Sequence, residues 1–126
     1  MLENSTAFSG FAVDDLAAAQ TFYGETLGLK VSEQNGLLTL HLAGDRDTIV
    51  YPKPDHVPAT YTILNFPVDD IDAAVDELTA RGVTFLRYDG FDQGENGVVR
   101  GRALGQGPDI AWFTDPAGNI LSVLQG

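Results

Sequence analysis

Val13-Asp14-Asp15-Leu16-Ala17-Ala18-Ala19 and Val68-Asp69-Asp70-Ile71-Asp72-Ala73-Ala74 are near copies of each other in a chain of 126 residues. Their offset is 68 − 13 = 55 positions, close to half the chain. Two copies are too few for a solenoid and point instead to a duplicated half-domain. Each copy follows a strand-like run, residues 8–12 in the first case and residues 61–66 in the second. Each then continues as a helix. Leu16, Ala19, Phe22, Tyr23 and Leu27 share one helical face, as do Ile71, Ala74, Val75 and Leu78. Asp15 and Asp70 are placed to cap these helices, and Gly28 and Gly82 to close them.

Further along, residues 30–34 lead into Asn35-Gly36, a strong hairpin signal, and Leu38, Leu40 and Leu42 then alternate with polar or small neighbours. Residues 48–51 form another short strand. Pro52, Pro54 and Pro58 mark a linker, because proline is excluded from central ladders. The second half offers strands at residues 83–88, 110–113 and 120–125, with a segment between residues 89 and 107 that holds six glycines. A loop this long suggests a mobile or functional flap. Its Arg100 and Arg102 are candidates to meet an anionic ligand. Each half is therefore expected to run β-α-β-β-β. The fold class is α+β, in one domain spanning residues 1–126. Module 1 covers about 5–52, a linker about 53–59, and module 2 about 60–126.

Eighteen acidic and seven basic residues give a net charge of −11. That balance argues against nucleic acid and against anionic membranes, both of which require clustered Lys and Arg. It is compatible with a cationic ligand. With no cysteine there is no disulfide scaffold, thiolate metal site or cysteine nucleophile. The first residues, Met1-Leu2-Glu3-Asn4-Ser5-Thr6, lack the basic start and apolar core of a signal peptide, so a cytoplasmic location is expected.

Three stretches together resemble the vicinal oxygen chelate superfamily of glyoxalase I, extradiol dioxygenases, and bleomycin and fosfomycin resistance proteins. They are Val13–Leu16 with Phe22-Tyr23-Gly24-Glu25-Thr26-Leu27-Gly28-Leu29, Val68–Ile71, and Phe113-Thr114-Asp115-Pro116-Ala117-Gly118-Asn119-Ile120-Leu121. The resemblance implies two modules forming a cupped mixed sheet, helices outside, around a small-molecule pocket, often in a homodimer. Catalytic members bind a divalent metal through His, Glu or Gln. The resemblance places three of those positions at Phe8, Ile63 and Ser122, and a fourth within residues 48–51. Phe and Ile offer no lone pair, Ser is a poor ligand, and residues 48–51 hold no carboxylate, amide or imidazole.

The expectation is therefore a glyoxalase- and bleomycin-resistance-like protein that binds a small organic ligand, aromatic or cationic, without a metal or other cofactor. The resemblance implies that Phe8, Ile63 and Ser122, at the family's ligand positions, face the cup, and strand parity then adds Tyr61 and Asn65. His41, Tyr51 and Trp112 complete the candidate ligand-binding set. His56, in the proline-rich linker, is expected in a solvated loop. The competing expectation is a lyase, isomerase or dioxygenase, either with relocated metal ligands such as His41 with Asp47 or His56, or with metal-free acid–base chemistry at His41. A purely structural or partner-binding module is a third.

Overall fold

The computed structural model describes all residues from Met1 to Gly126. It divides into two compact units, Met1–Val57 and Pro58–Gly126, with the division inside the proline-rich stretch.

The first unit contains β1 (Ser9–Val13), α1 (Leu16–Thr21) running on into a π-helical turn (Phe22–Thr26), β2 (Lys30–Gln34), β3 (Leu37–His41) and β4 (Thr48–Pro52). Its sheet has the order β1-β4-β3-β2, with β1 parallel to β4 and the other pairs antiparallel. A parallel pair needs a long crossover, which α1 and the β2–β3 hairpin supply. Asp15 caps α1 by accepting a hydrogen bond from the Ala18 amide at 3.0 Å. The expected single regular helix widens after Thr21, where the Leu27 amide donates to the Phe22 carbonyl, five residues back. Tyr23, on the same face as Leu16 and Ala19, is fully buried, with Phe11 and Phe22 at ring-centroid distances of 5.7 and 5.1 Å.

Asn35 and Gly36 have φ of 56° and 76°, the left-handed pair of a type I′ turn, so Gln34 pairs with Leu37 and the hairpin register is fixed. Leu38, Leu40 and Val50 are fully buried on the helix side of the sheet. Leu42 departs from the expected alternation. Its amide turns back to the Leu40 carbonyl at 3.2 Å, ending β3 at His41 and leaving Leu42 half-buried beyond the strand.

The second unit contains β5 (Thr62–Pro67), α2 (Ile71–Ala80), β6 (Val99–Arg100), β7 (Asp109–Thr114) and β8 (Ile120–Gln125), in the sheet order β5-β8-β7-β6. Asp70 caps α2 through the Ala73 amide at 3.1 Å, repeating the Asp15 arrangement. The Ile71 amide donates to Gln125 Oε1 at 3.0 Å, which ties the start of α2 to β8. Ile71, Val75, Ala111, Phe113, Leu121 and Val123 form the core.

The expected strand at residues 83–88 does not form. Only Phe85 bridges to Phe113, with the Leu86 amide bonded to the Trp112 carbonyl at 2.7 Å. Side chains satisfy the backbone groups that a ladder partner would otherwise take. Gln93 Nε2 donates to the carbonyls of Leu86 (2.9 Å) and Gly97 (2.7 Å), and its Oε1 accepts from the Tyr88 amide (2.8 Å). Arg87 donates to the carbonyls of Gln93, Gly94 and Glu95. The fourth strand is instead the two-residue β6, within the stretch expected to be a flap. No helix is long and apolar enough to cross a membrane.

Arg100, a candidate to meet an anionic ligand, is engaged within the unit instead. It grips Asp72 of α2 with both guanidinium nitrogens, at 2.6 and 3.0 Å, and Asn96 adds a third bond to the same carboxylate at 2.8 Å. Arg102 lies 3.7 Å from Asp109. The Arg100 hydrogen bonds, followed by that of Asn96, hold the Asp72 carboxyl below the usual carboxylate range. A depressed folded-state value means that the unfolded chain takes up the proton first. The contribution is therefore complete above the unfolded value and is lost as pH falls through the folded one. Asp72→Asn is expected to flatten the acid limb of a stability–pH curve. At neutral pH it should cost no more than about 1 kcal/mol, because both side chains are half exposed and solvent screens them. Urea unfolding across the acid range checks both statements.

Candidate ligand-binding surfaces

Each unit carries one hollow on the side of its sheet opposite the helix. In the second unit, register places Trp112 of β7 opposite Ser122 of β8, and Ser122 opposite Asn65 of β5. Ser122 is fully buried, and its hydroxyl donates to Asn65 Oδ1 at 2.6 Å. The amide carbonyl of Asn65 is thus satisfied within the sheet, although the residue itself is exposed. A bulge interrupts β5. Thr62 pairs with Ile120 and Leu64 with Leu121, so Ile63 is an extra residue. This breaks the simple parity drawn through residues 61, 63 and 65. Thr62 joins Tyr61 on the wall of the hollow, and Ile63 is not part of that wall.

The hollow has a volume of about 200 Å³. Tyr61, Tyr88, Phe91 and Trp112 supply its aromatic walls, with Thr62 and Ile120 beside them. Tyr88 stands edge-on to Trp112 at 5.3 Å and Phe91 tilts against it at 5.6 Å. The group remains open to solvent, since Tyr61 is 70% and Phe91 54% exposed. Of these four aromatics the sequence indicates Tyr61 and Trp112 and misses Tyr88 and Phe91. The available signal was Phe91, a large aromatic inside the glycine-rich stretch, whereas Tyr88 fell at the end of the strand expected over residues 83–88. The acidic residues that begin α2 belong to the opposite side of this sheet, the side on which Leu121 and Val123 are buried.

In the first unit a larger open hollow, about 700 Å³, lies against the start of β1 and the turn before β4. Phe8, Thr39, Leu42, Asp47 and Ile49 line it, and Phe8 is 72% exposed. Tyr51, two residues beyond Ile49 on β4, is exposed and is not among the walls. His41 follows Thr39 by two residues on β3. Its Nε2 lies 2.7 Å from Ser32 Oγ and its Nδ1 3.2 Å from Asp47 Oδ1, so both ring nitrogens are engaged. His56 is half-buried rather than solvated, and its Nε2 is enclosed without a hydrogen-bond partner.

These residues do not suit a divalent metal. Phe8 and Ile63 carry no lone pair, and the Ser122 hydroxyl is enclosed and committed to Asn65. No three His, Asp or Glu side chains are gathered so as to hold a cation.

A family model described as Glyoxalase/Bleomycin resistance protein/Dioxygenase superfamily matches residues 6–123. Among curated proteins the sequence finds no match. Solved structures share the fold. TnmS3, an antibiotic binding protein from Streptomyces sp. CB03234, is 24% identical, with 97% of each chain covered and a TM-score of 0.67. The glyoxalase family protein from Enterococcus faecalis is 20% identical, with 98% of this chain and 99% of that one covered and a TM-score of 0.68. The fosfomycin resistance protein FosX from Mesorhizobium loti is 13% identical, with 98% and 92% covered and a TM-score of 0.64.

Proposed function

The chain belongs to the glyoxalase, bleomycin resistance protein and dioxygenase superfamily, and on that premise we propose that it is a metal-independent protein that binds and sequesters a small aromatic compound. The observation that carries the proposal is the open cluster of Trp112, Tyr88, Phe91 and Tyr61. Ring faces and edges left in contact with water favour a flat apolar partner. The same faces attract a cation, and no Lys or Arg is among the walls to oppose one. The absence of lone pairs at Phe8 and Ile63 supports binding without a metal. The similarity in fold to an antibiotic binding protein is in keeping with a small organic ligand. On this reading the protein acts as a cytoplasmic homodimer, with no cofactor.

Trp112 is the only tryptophan, so its fluorescence reports directly on this hollow. The probes are three compounds of one ring size: a protonated aminoacridine, neutral anthracene, and anthracene sulfonate. Saturable quenching is expected with the cation strongest and the sulfonate weakest, unaltered by EDTA. Phe91→Ala should weaken binding about tenfold, equivalent to about 1.4 kcal/mol. Quenching by none of the three, or quenching that EDTA abolishes, rejects the proposal. A monomeric mass by light scattering removes the dimer.

A further inference from the structure

We infer that Ser32, His41 and Asp47 form a nucleophilic centre able to hydrolyse small carboxylic esters. The centre lies within the first unit and involves none of the aromatic residues around Trp112. Hairpin register assembles it. Ser32 pairs with Thr39 and Lys30 with His41, so Ser32 and His41 are diagonal neighbours on one face of the β2–β3 ladder. The turn before β4 then brings Asp47 to the other side of the imidazole. The result is a linear order of hydroxyl, imidazole and carboxylate, with Oγ to Nε2 at 2.7 Å and Nδ1 to Oδ1 at 3.2 Å.

This order assigns the protons. An ionised carboxylate can only accept, so the bond to Asp47 requires the hydrogen on Nδ1. In the neutral imidazole the lone pair is then on Nε2, facing the Ser32 hydroxyl, as a general base requires. Ser32 is exposed on β2, which pairs only with β3, so an ester can approach it from solvent. The type I′ turn makes Gln34 and Leu37 a hydrogen-bonded pair. By alternation Ser32 and Thr39 form another, and the amides of Val31 and Glu33 point away from β3. They are the nearest backbone donors on either side of the nucleophile. The 700 Å³ hollow shares Asp47 and Thr39 as walls and offers Phe8, Leu42 and Ile49 to the apolar part of a substrate.

In the first step Ser32 Oγ bonds to the ester carbonyl carbon while its proton passes to His41 Nε2. The carbon–alkoxide bond breaks and the leaving alcohol takes that proton, leaving an acyl-serine. Water then attacks the acyl carbon, gives one proton to Nε2, and releases the acid as the proton returns to Ser32. The net reaction is ester plus water to acid plus alcohol. Ser32 and His41 are the catalytic residues, and Asp47 is a positioning residue.

The test is p-nitrophenyl acetate with the intact 126-residue protein, followed by stopped-flow absorbance, intact mass and peptide mapping. A stoichiometric burst of nitrophenolate and an acetyl group mapped to Ser32 are expected. Ser32→Ala should abolish both while leaving the circular dichroism spectrum unchanged. Asp47→Asn should slow acylation by roughly 100-fold, within the usual range for proton transfer by a positioned base, without altering the half-saturating ester concentration. No nitrophenolate release above that of Ser32→Ala, an adduct on another residue, or wild-type acylation by Asp47→Asn overturns the inference. Quenching of Trp112 is read independently of every one of them.

Discussion

Phe113→Ala is expected to destabilise the second unit by about 4 kcal/mol, at the upper end of what a single truncation produces. Phe113 is fully buried on the helix side of β7, beside Leu121 of β8, and meets the Phe85 ring at a centroid distance of 5.6 Å. Truncation removes the buried ring and leaves a cavity that strands β7 and β8 are too well paired to collapse around. It also takes away the seat of Phe85, which bridges the stretch after α2 to β7. A domain of this size has roughly 5–15 kcal/mol of stability in all, so about a quarter or more would be lost. Urea denaturation measures it. Phe113→Leu should recover most of the loss, and a cost below about 2 kcal/mol for Phe113→Ala would mean that the site relaxes freely.

Asp115→Ala is expected to cost about 3 kcal/mol by a different mechanism, the stranding of buried donors. Asp115 Oδ1 accepts from the amides of Ala117 (3.0 Å) and Asn119 (2.9 Å), and Oδ2 accepts from Asn119 Nδ2 (3.0 Å). Both residues are buried, so water cannot replace the carboxylate without opening the turn. Gly118 tightens the constraint, with φ of 85° and Pro58 Cγ only 3.2 Å from where a Cβ would stand. Asp115→Asn keeps one acceptor and should recover part of the loss. Equal melting temperatures for Asp115→Ala and wild type would refute the mechanism.

Most of the scaffold is legible in the sequence because local chemistry determines it. The caps at Asp15 and Asp70, the turn at Asn35-Gly36 and the turn at Asp115–Asn119 each act over a few residues. The parts that escape depend on distant partners. Residues 83–88 have the composition of a strand, yet the Gln93 side chain supplies partners to the backbone of Leu86 and Tyr88 while Arg87 reaches out to the carbonyls of the following loop, and no local pattern announces that. The bulge at Ile63 is likewise invisible to a count of alternating positions.

Site residues divide along the same line. Tyr61 and Trp112 come together at one hollow, and Asn65 finds Ser122 across the sheet. Phe8 and His41 belong to the other unit, and Tyr88 and Phe91 reach Trp112 only through the path of their loop. The neighbourhood of Ser32 and His41 was derivable in principle, since the Asn35-Gly36 turn fixes the pairing of Ser32 with Thr39. The approach of Asp47 was not, because it depends on how the chain turns beyond Leu42.

The Asp115–Asn119 turn also governs the order in which the second unit assembles. β8 is an inner strand, paired antiparallel with β7 through this turn and parallel with β5, whose Asn65 lies 57 residues before Ser122. Closing the short hairpin sacrifices little chain entropy, whereas the long parallel closure sacrifices much more and is repaid only when a template already stands. Hairpin formation is therefore expected to precede the docking of β5. Removing the Asp115 carboxylate is then expected to lower the refolding rate, and truncations on β5 to speed unfolding instead, which stopped-flow refolding and unfolding would measure.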